Sequence, residues 1–281
     1  MNSTRPRKAS QPLKWHGGKS YLAKWIHSLA PPSVADDPDG YTHRNIVFAG
    51  GLGEFWNWPH EGISEAVNDA DQTLLDFLTV LREPSLFEEF QRKVWFMPLS
   101  EEAWRRAVAS RPIEIVDRAL AFFVRYRQSR QGLGRDYTTP TRRVRRGMNE
   151  QASAWLSAVD GLPECHQRLR GVELACRDFA AFIGQRDDVK ALFYCDPPYL
   201  ADTRTSGGEY GKHELSDERH SELLELLAGI EGRFMLSGYR SPLYDAWADR
   251  NGFVRHDREI DNKASGSKSK PKRVESIWCN Y

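Results

Sequence analysis

The apolar stretch Ala191–Cys195 runs straight into Asp196, Pro197, Pro198 and Tyr199. This tetrad sets a carboxylate, a fixed backbone carbonyl and an aromatic ring side by side. Asp196 and the Pro197 carbonyl can accept hydrogen bonds from an amino group while Tyr199 lies against the ring that bears it, so the set suits a planar amine. Two successive prolines stop a sheet ladder, since neither has an N–H to donate and each holds φ near about −65°. The plain alternative is a strand followed by a Pro-Pro turn with a surface tyrosine, and four residues alone do not separate the two.

To present the tetrad, Leu192–Cys195 must be a buried strand with Asp196 at its carboxyl end, where open α/β sheets place their ligands. The rest of the chain supplies matching elements. Leu22, Trp25, Ile26 and Leu29 predict a helix over 20–30 that Pro31 and Pro32 end. Asn45–Phe48 reads as a strand entering the turn Ala49-Gly50-Gly51-Leu52-Gly53, with a helix expected next. Ala66 and Val67 lead to Asn68 and Asp69, and Leu74, Leu75, Leu78 and Leu81 mark an amphipathic helix over 72–82. From Pro84 to about Leu169 helical pieces dominate (85–94, 101–109, 113–127 and 149–159), around an arginine-rich loop holding Gly132, Gly134 and Pro140. Strands then resume at 172–175, 192–195, 233–237, 254–259 and 274–278, separated by helices at 217–227 and 243–249, the last two strands forming an edge hairpin. Alternation of this kind predicts an α/β fold.

Composition narrows the class. In 281 residues, 40% hydrophobic content suffices for a core of one large or two small domains. No apolar run approaches the ~20 residues that span a bilayer, so no membrane role is expected. The basic start has no apolar stretch behind it, which argues against a secretory signal and for a disordered lead-in over 1–11. Cys165, Cys176, Cys195 and Cys279 have neither C-x-x-C nor zinc spacing, the histidines form no ligand motif, and no metal is expected. A reducing cytosol fits. The net charge of +1 is unevenly spread. Arg125, Arg127, Arg130, Arg135, Arg142, Arg143, Arg145 and Arg146 stand against Asp136 alone, and Lys263, Lys268, Lys270, Lys272 and Arg273 form a second cluster. Such loops can serve solubility, but two of them on a near-neutral chain suggest phosphate contacts.

Three further segments carry candidate chemistry. The glycine turn after Phe48 suits a cofactor's polar tail through approachable N–H groups. Asp69, some 20 residues on, ends a strand where a carboxylate reaches ribose hydroxyls, or else caps the following helix. Lys14-Trp15-His16-Gly17-Gly18-Lys19-Ser20 ends like a phosphate loop, but the nucleotide-binding pattern needs a glycine where Leu13 stands, and no strand precedes it. A glycine pair beside Trp15 instead lets the backbone approach a ligand, with Lys19 available for a carboxylate.

Taken in order, Lys14-Trp15-x-Gly17-Gly18-Lys19, Phe48-Ala49-Gly50-Gly51, Asn68-Asp69, Asp178-Phe179 and Asp196-Pro197-Pro198-Tyr199 resemble the Dam-like class of DNA adenine-N6 methyltransferases. The likeness continues through Ser237-Gly238-Tyr239 and Lys263-Ala264-Ser265-Gly266 to Glu275–Tyr281 and covers nearly the whole chain. Ile46-Val47 and Leu52 depart from the family pattern, the latter replacing a common glycine. The resemblance implies a Rossmann-like methyltransferase sheet, α/β in class, built from 12–83 and 170–281, with 84–169 as a mainly helical target-recognition domain. It implies S-adenosylmethionine as cofactor, contacted by Trp15, Gly17, Gly18, Lys19, Phe48, Gly50 and Gly51. Lys19 would lie near the methionine carboxylate, Asp69 would hold the ribose, Asp178 and Phe179 the adenine, and Asp196 would border the site.

The amino group of adenine is a poor nucleophile because its lone pair is delocalised. Hydrogen bonds to Asp196 and the Pro197 carbonyl, with Pro198 fixing the turn, would draw it toward tetrahedral geometry for direct attack on the sulfonium methyl. A base in duplex DNA must be flipped out, and Tyr199 would supply a stacking face. Gln131-Gly132-Leu133-Gly134-Arg135 resembles the family's recognition hairpin: Arg135 would read guanine and Gln131 adenine, with Leu133 beside them. Arg142, Arg143, Arg145 and Arg146 would contact phosphates, and Lys14 would also touch DNA. The expected partner is double-stranded DNA, met by a monomer in the cytoplasm of a bacterium or a phage-infected host. A methyltransferase acting on RNA and a catalytically silent DNA-binding regulator are the alternatives. The intact Asp196 and the Lys19, Asp69 and Asp178 set argue against the silent form.

Overall fold

The computed structural model describes residues 8–139, 141–203, 214–261 and 272–281. Pro140, most of the 1–11 lead-in, and the stretch holding Lys263, Ala264, Ser265, Gly266, Lys268 and Lys270 lie outside the described residues. Two compact units divide the chain. The first comprises Met1–Leu29, Gly50–Pro59 and Asp71–Cys176, the second Ala30–Ala49, His60–Ala70 and Arg177–Tyr281.

The first unit is mainly helical. It holds α1 (Ala23–Leu29), α2 (Gln72–Arg82), α3 (Pro84–Trp95), α4 (Glu101–Ala109), α5 (Ile115–Arg127), α6 (Glu150–Asp160) and α7 (Leu162–Leu169). Asp71, not Asp69, caps α2, its side chain accepting from Thr73 N at 3.0 Å. The apolar stripe of α2 then buries Leu74, Phe77, Leu78 and Leu81. Phe77 stacks on Phe123 of α5 at 5.8 Å and meets Phe90 of α3 edge-on at 6.0 Å. Between α5 and α6 runs a two-stranded antiparallel ribbon, β3 (Val144–Arg145) and β4 (Met148–Asn149). Its turn, Arg146 at φ 55° and Gly147 at φ 74°, takes the left-handed conformation that tight hairpins require. The unit ends in the short strand β5 (Val172–Ala175).

The second unit carries β1 (His43–Ile46), β2 (Ser64–Asn68), β6 (Ala191–Cys195), β7 (Arg233–Gly238), β8 (Val254–Asp261) and β9 (Lys272–Cys279). They lie side by side in the order β2-β1-β6-β7-β9-β8. The first four are parallel, while β9 runs antiparallel to both β7 and β8. The register sets Ile46 against Tyr194 and Tyr194 against Met235, and every residue of β6 is buried, as befits a strand inside a parallel sheet. Arg44 faces Glu65 across β1 and β2 as a buried ion pair, with its Nε 3.0 Å from the carboxylate. Helices α8 (Phe179–Arg186), α9 (Asp217–Gly229) and α10 (Pro242–Asn251) complete the unit. The chain leaves β1 for one side and β6 for the other, which makes the gap between them the switch point of the sheet.

One expected element differs. The glycine turn is followed by a single 3₁₀ turn, Phe55–Asn57, rather than a helix. The N–H groups of the glycine turn are therefore not those of an α-helix N-terminus. Asp178, an expected ligand residue, also starts α8, its side chain accepting from Ala180 N at 3.0 Å.

Candidate active site

Parallel strands deliver their carboxyl ends to one edge, so the second unit brings four of the expected segments together there. β1 leads to Phe48, β2 to Asp69, β6 to Asp196 and β7 to Ser237 and Gly238. Backbone pairing continues past β1: Val47 N donates to Tyr194 O at 3.0 Å and Ala49 N to Asn68 O at 2.9 Å. Asp196 and Asp69 are both half-buried. Because Asp71 caps α2, Asp69 is spared that structural duty. Phe48 packs on Phe179 with ring centroids 5.7 Å apart.

Tyr199 is only 7% exposed. Its hydroxyl donates to Glu275 and lies 3.2 Å from Ser237 Oγ, which itself donates to Glu275 at 3.0 Å. Burial, reinforced by the Asp196 and Glu275 carboxylates, pushes the phenol well above the ordinary tyrosine range, so it stays protonated. Tyr239 meets the Tyr199 ring edge-on at 4.7 Å, and the Arg273 guanidinium lies 5.2 Å over Tyr239. The surface tyrosine of the plain reading is therefore a buried, anchored one.

Asp178 is held on both sides. One oxygen caps α8, and the other pairs with Arg219 of α9, whose guanidinium lies 4.3 Å over the Phe179 ring. The amide of Asn68 fixes the approach to this corner, bonding Val47 O at 3.0 Å and both main-chain groups of Arg177.

The first unit gathers the other expected residues. Trp15 stacks on Tyr126 at 4.9 Å. A Cβ on Gly51 would lie 2.3 Å from Gln11 Nε2 and 2.5 Å from Trp15 Cβ, and one on Gly50, at φ 46°, 2.9 Å from Trp15 Nε1. Part of the close approach foreseen for a ligand is thus taken by the chain's own 11–15 segment. Gly17 sits at φ 74°, and Gly18 N donates to Trp15 O at 3.2 Å. Lys19, 4% exposed, donates to Gly17 O at 3.0 Å. Leu52, where the family pattern has glycine, is buried at φ 53°, a conformation that costs about 1–2 kcal/mol with a side chain present.

Gln131 and Arg135 are exposed on a loop closed by the Ser129–Tyr137 bridge, with Leu133 between them. Lys14 Nζ donates to Gln151 at 3.2 Å. Burial, and then the Arg127 charge, lower its pKa to about 8. An open cleft of about 530 Å³ is lined by Lys14, Arg127, Gln131 and Ser20 among others, with no acidic residue in its wall among the described residues. Arg142, Arg143, Arg145 and Arg146 are exposed on or beside the β3–β4 ribbon, and Arg146 bonds Ser157 at 2.7 Å.

Among the described residues no cluster of His, Cys, Asp or Glu could hold a metal, and no helix is long and apolar enough to cross a membrane. Sequence reasoning assigns no role to Asn68, Arg219, Ser237 or Glu275. The motif positions of Asn68, Ser237 and Glu275 are their only signal.

A mainly parallel sheet with the Asp196–Tyr199 tetrad at its switch point defines a Rossmann-like methyltransferase. The chain matches the family described as D12 class N6 adenine-specific DNA methyltransferase over residues 15–260, and it belongs to that family. It is accordingly an enzyme that methylates adenine N6 in DNA. No curated protein matches it.

Proposed function

We propose that this chain transfers a methyl group from S-adenosylmethionine to an adenine extruded from double-stranded DNA, acting as a monomer in the cytoplasm. The observation that carries this reading is Asp196: a half-buried carboxylate leaving β6 beside β1, followed by two prolines and an anchored tyrosine. When bound, the cofactor supplies an electrophilic methyl on a sulfonium. The residues suit it chemically: Asp69 for ribose hydroxyls, Phe48, Asp178 and Phe179 for its adenine, and Trp15, Gly17, Gly18, Lys19, Gly50 and Gly51 for its amino-acid portion.

Asp196 and the Pro197 carbonyl accept hydrogen bonds from the two N–H groups of the target amine and localise its lone pair. Asp196 or solvent takes the one proton the amine loses once it carries the methyl. Pro198 keeps the carbonyl aimed, and Tyr199 lies against the base. The work is positioning and preorganised electrostatics. Residues 84–169 read the DNA. Gln131, Leu133 and Arg135 meet bases, Lys14 lines the same cleft as Gln131, and Arg142, Arg143, Arg145 and Arg146 sit on or beside a two-stranded ribbon of the kind a major groove admits. Labelled-methyl transfer to duplex DNA, RNA and protein in parallel tests this. Incorporation into duplex DNA alone is expected, and preferred labelling of RNA would overturn the assignment.

A further inference from the structure

We infer that Glu275 is a positioning residue for methyl transfer, acting through Tyr199. Resting on the proposed role of Tyr199 at the target base, this gives the last strand of the sheet a task in catalysis. Glu275 is 1% exposed and sits on β9, 76 residues beyond Tyr199 in sequence. Its Oε1 accepts from both the Tyr199 and the Ser237 hydroxyls.

Donor counting explains why an acceptor oxygen stands there. Tyr199 and Ser237 each have one hydroxyl proton, and both protons point at the same oxygen, which leaves neither for the 3.2 Å contact between the two hydroxyls. An oxygen with two open lone pairs satisfies this geometry. An amide oxygen has them, and a carboxylate adds charge assistance, which makes such bonds about twice as strong as neutral ones.

The anchor fixes the end of the phenol ring, and Tyr239 fixes its side at 4.7 Å. Arg273 lies two residues before Glu275 on β9 and so on the same face; it lies over Tyr239 and donates to its hydroxyl at 3.4 Å. One strand thus braces both tyrosines. Ring tilt and height next to Asp196 decide where a base stacked on Tyr199 presents its amine, and a misplacement of ~1 Å can cost ~10²-fold in rate.

The test is a double-mutant cycle in the full chain, reading single-turnover methyl transfer, cofactor Kd and Tm. Glu275→Ala and Tyr199→Phe should each lower the transfer rate about tenfold or more with cofactor Kd within about twofold of wild type. The double variant should be no slower than Tyr199→Phe alone. Glu275→Gln, which keeps an acceptor oxygen, should recover most of the rate even where Glu275→Ala lowers Tm. Equal slowing by Glu275→Ala in the wild-type chain and in the Tyr199→Phe variant would overturn the inference, as would an unchanged rate. Wild-type turnover in Tyr199→Ala would instead overturn the reading of Tyr199 on which it rests.

Discussion

Asn68 completes the hydrogen bonding of a residue more than a hundred positions away. Its Nδ2 donates to Arg177 O at 3.1 Å and its Oδ1 accepts from Arg177 N at 3.0 Å, as a neighbouring peptide would. The amide is buried, and its second amide hydrogen meets Val47 O at 3.0 Å. One side chain thereby ties the ends of β1 and β2 to the residue preceding Asp178.

Replacing Asn68 with Ala leaves those main-chain groups unmet, at a cost of roughly 1–3 kcal/mol. Asn68→Asp should be at least as damaging, because a carboxylate would face two carbonyl oxygens. Urea unfolding reads the loss. Cofactor affinity should fall in parallel, since Asp69 and Asp178 flank the tie.

Asp196→Ala should reduce methyl transfer by at least about 10²–10³-fold, the scale on which one preorganised electrostatic contact acts. Cofactor binding, measured by calorimetry, should change little. Near-normal turnover in this variant would falsify the proposed handling of the amine.

Lys14 predicts a pH dependence of DNA binding. Its pKa is lowered to about 8 in the free protein, by burial first and the Arg127 charge second. A nearby phosphate or base acceptor would favour the ammonium form and raise that value. Affinity gained from Lys14 is therefore full below about 8 and lost as pH rises through the pKa of the complex. DNA Kd should weaken as pH is raised from neutral through that value, and Lys14→Gln should weaken binding at neutral pH while flattening the profile. A profile unchanged in Lys14→Gln would remove Lys14 from the DNA contact. The same lowered pKa affects folding. In the window from about 8 up to the ordinary lysine value the unfolded chain binds more protons, so this residue makes stability rise with pH there.

Arg135 and Arg143 should fail differently. Arg135→Ala is expected to cost about 1–3 kcal/mol on the preferred site and to relax selectivity at one base pair. Arg143→Ala should weaken all sequences alike and reduce the salt slope by about 1. Binding titrations on a panel of duplexes at two salt concentrations distinguish them; uniform weakening by Arg135→Ala would count against base reading.

Much of the scaffold is legible in the sequence because its local signals agree. Helix α2 declares itself through its leucine spacing, and its bounds match, as do those of α4 over 101–109. The buried run of β6 is legible through its unbroken apolar residues. Helix α8 escapes the sequence reading because it is short, although Asp178 before an apolar run is a cap signal. The β3–β4 ribbon escapes it because arginines hide the alternation of a strand, leaving only Arg146-Gly147 to mark its turn. The contact of Glu275 with Tyr199 has no local signature at all, since it depends on the order in which β7 and β9 enter the sheet.

On the proposed base-reading role of residues 131–135, Gly132 constrains how this enzyme can acquire a new target. At φ 73°, a Cβ there would lie 2.6 Å from the Lys14 carbonyl group and 2.8 Å from Trp15 N. The backbone of this loop is seated on the segment that carries Lys14 and Trp15, while Gln131 and Arg135 on either side of Gly132 are exposed. On that reading, specificity would alter on an unchanged frame by exchange of the side chain at 135, and at 131 only among residues that tolerate its φ of 54°. Changes of loop length or of residue 132 would disturb the Trp15 segment as well. Divergence among descendants of this chain should proceed by point substitution at those two positions, with 132 held as glycine.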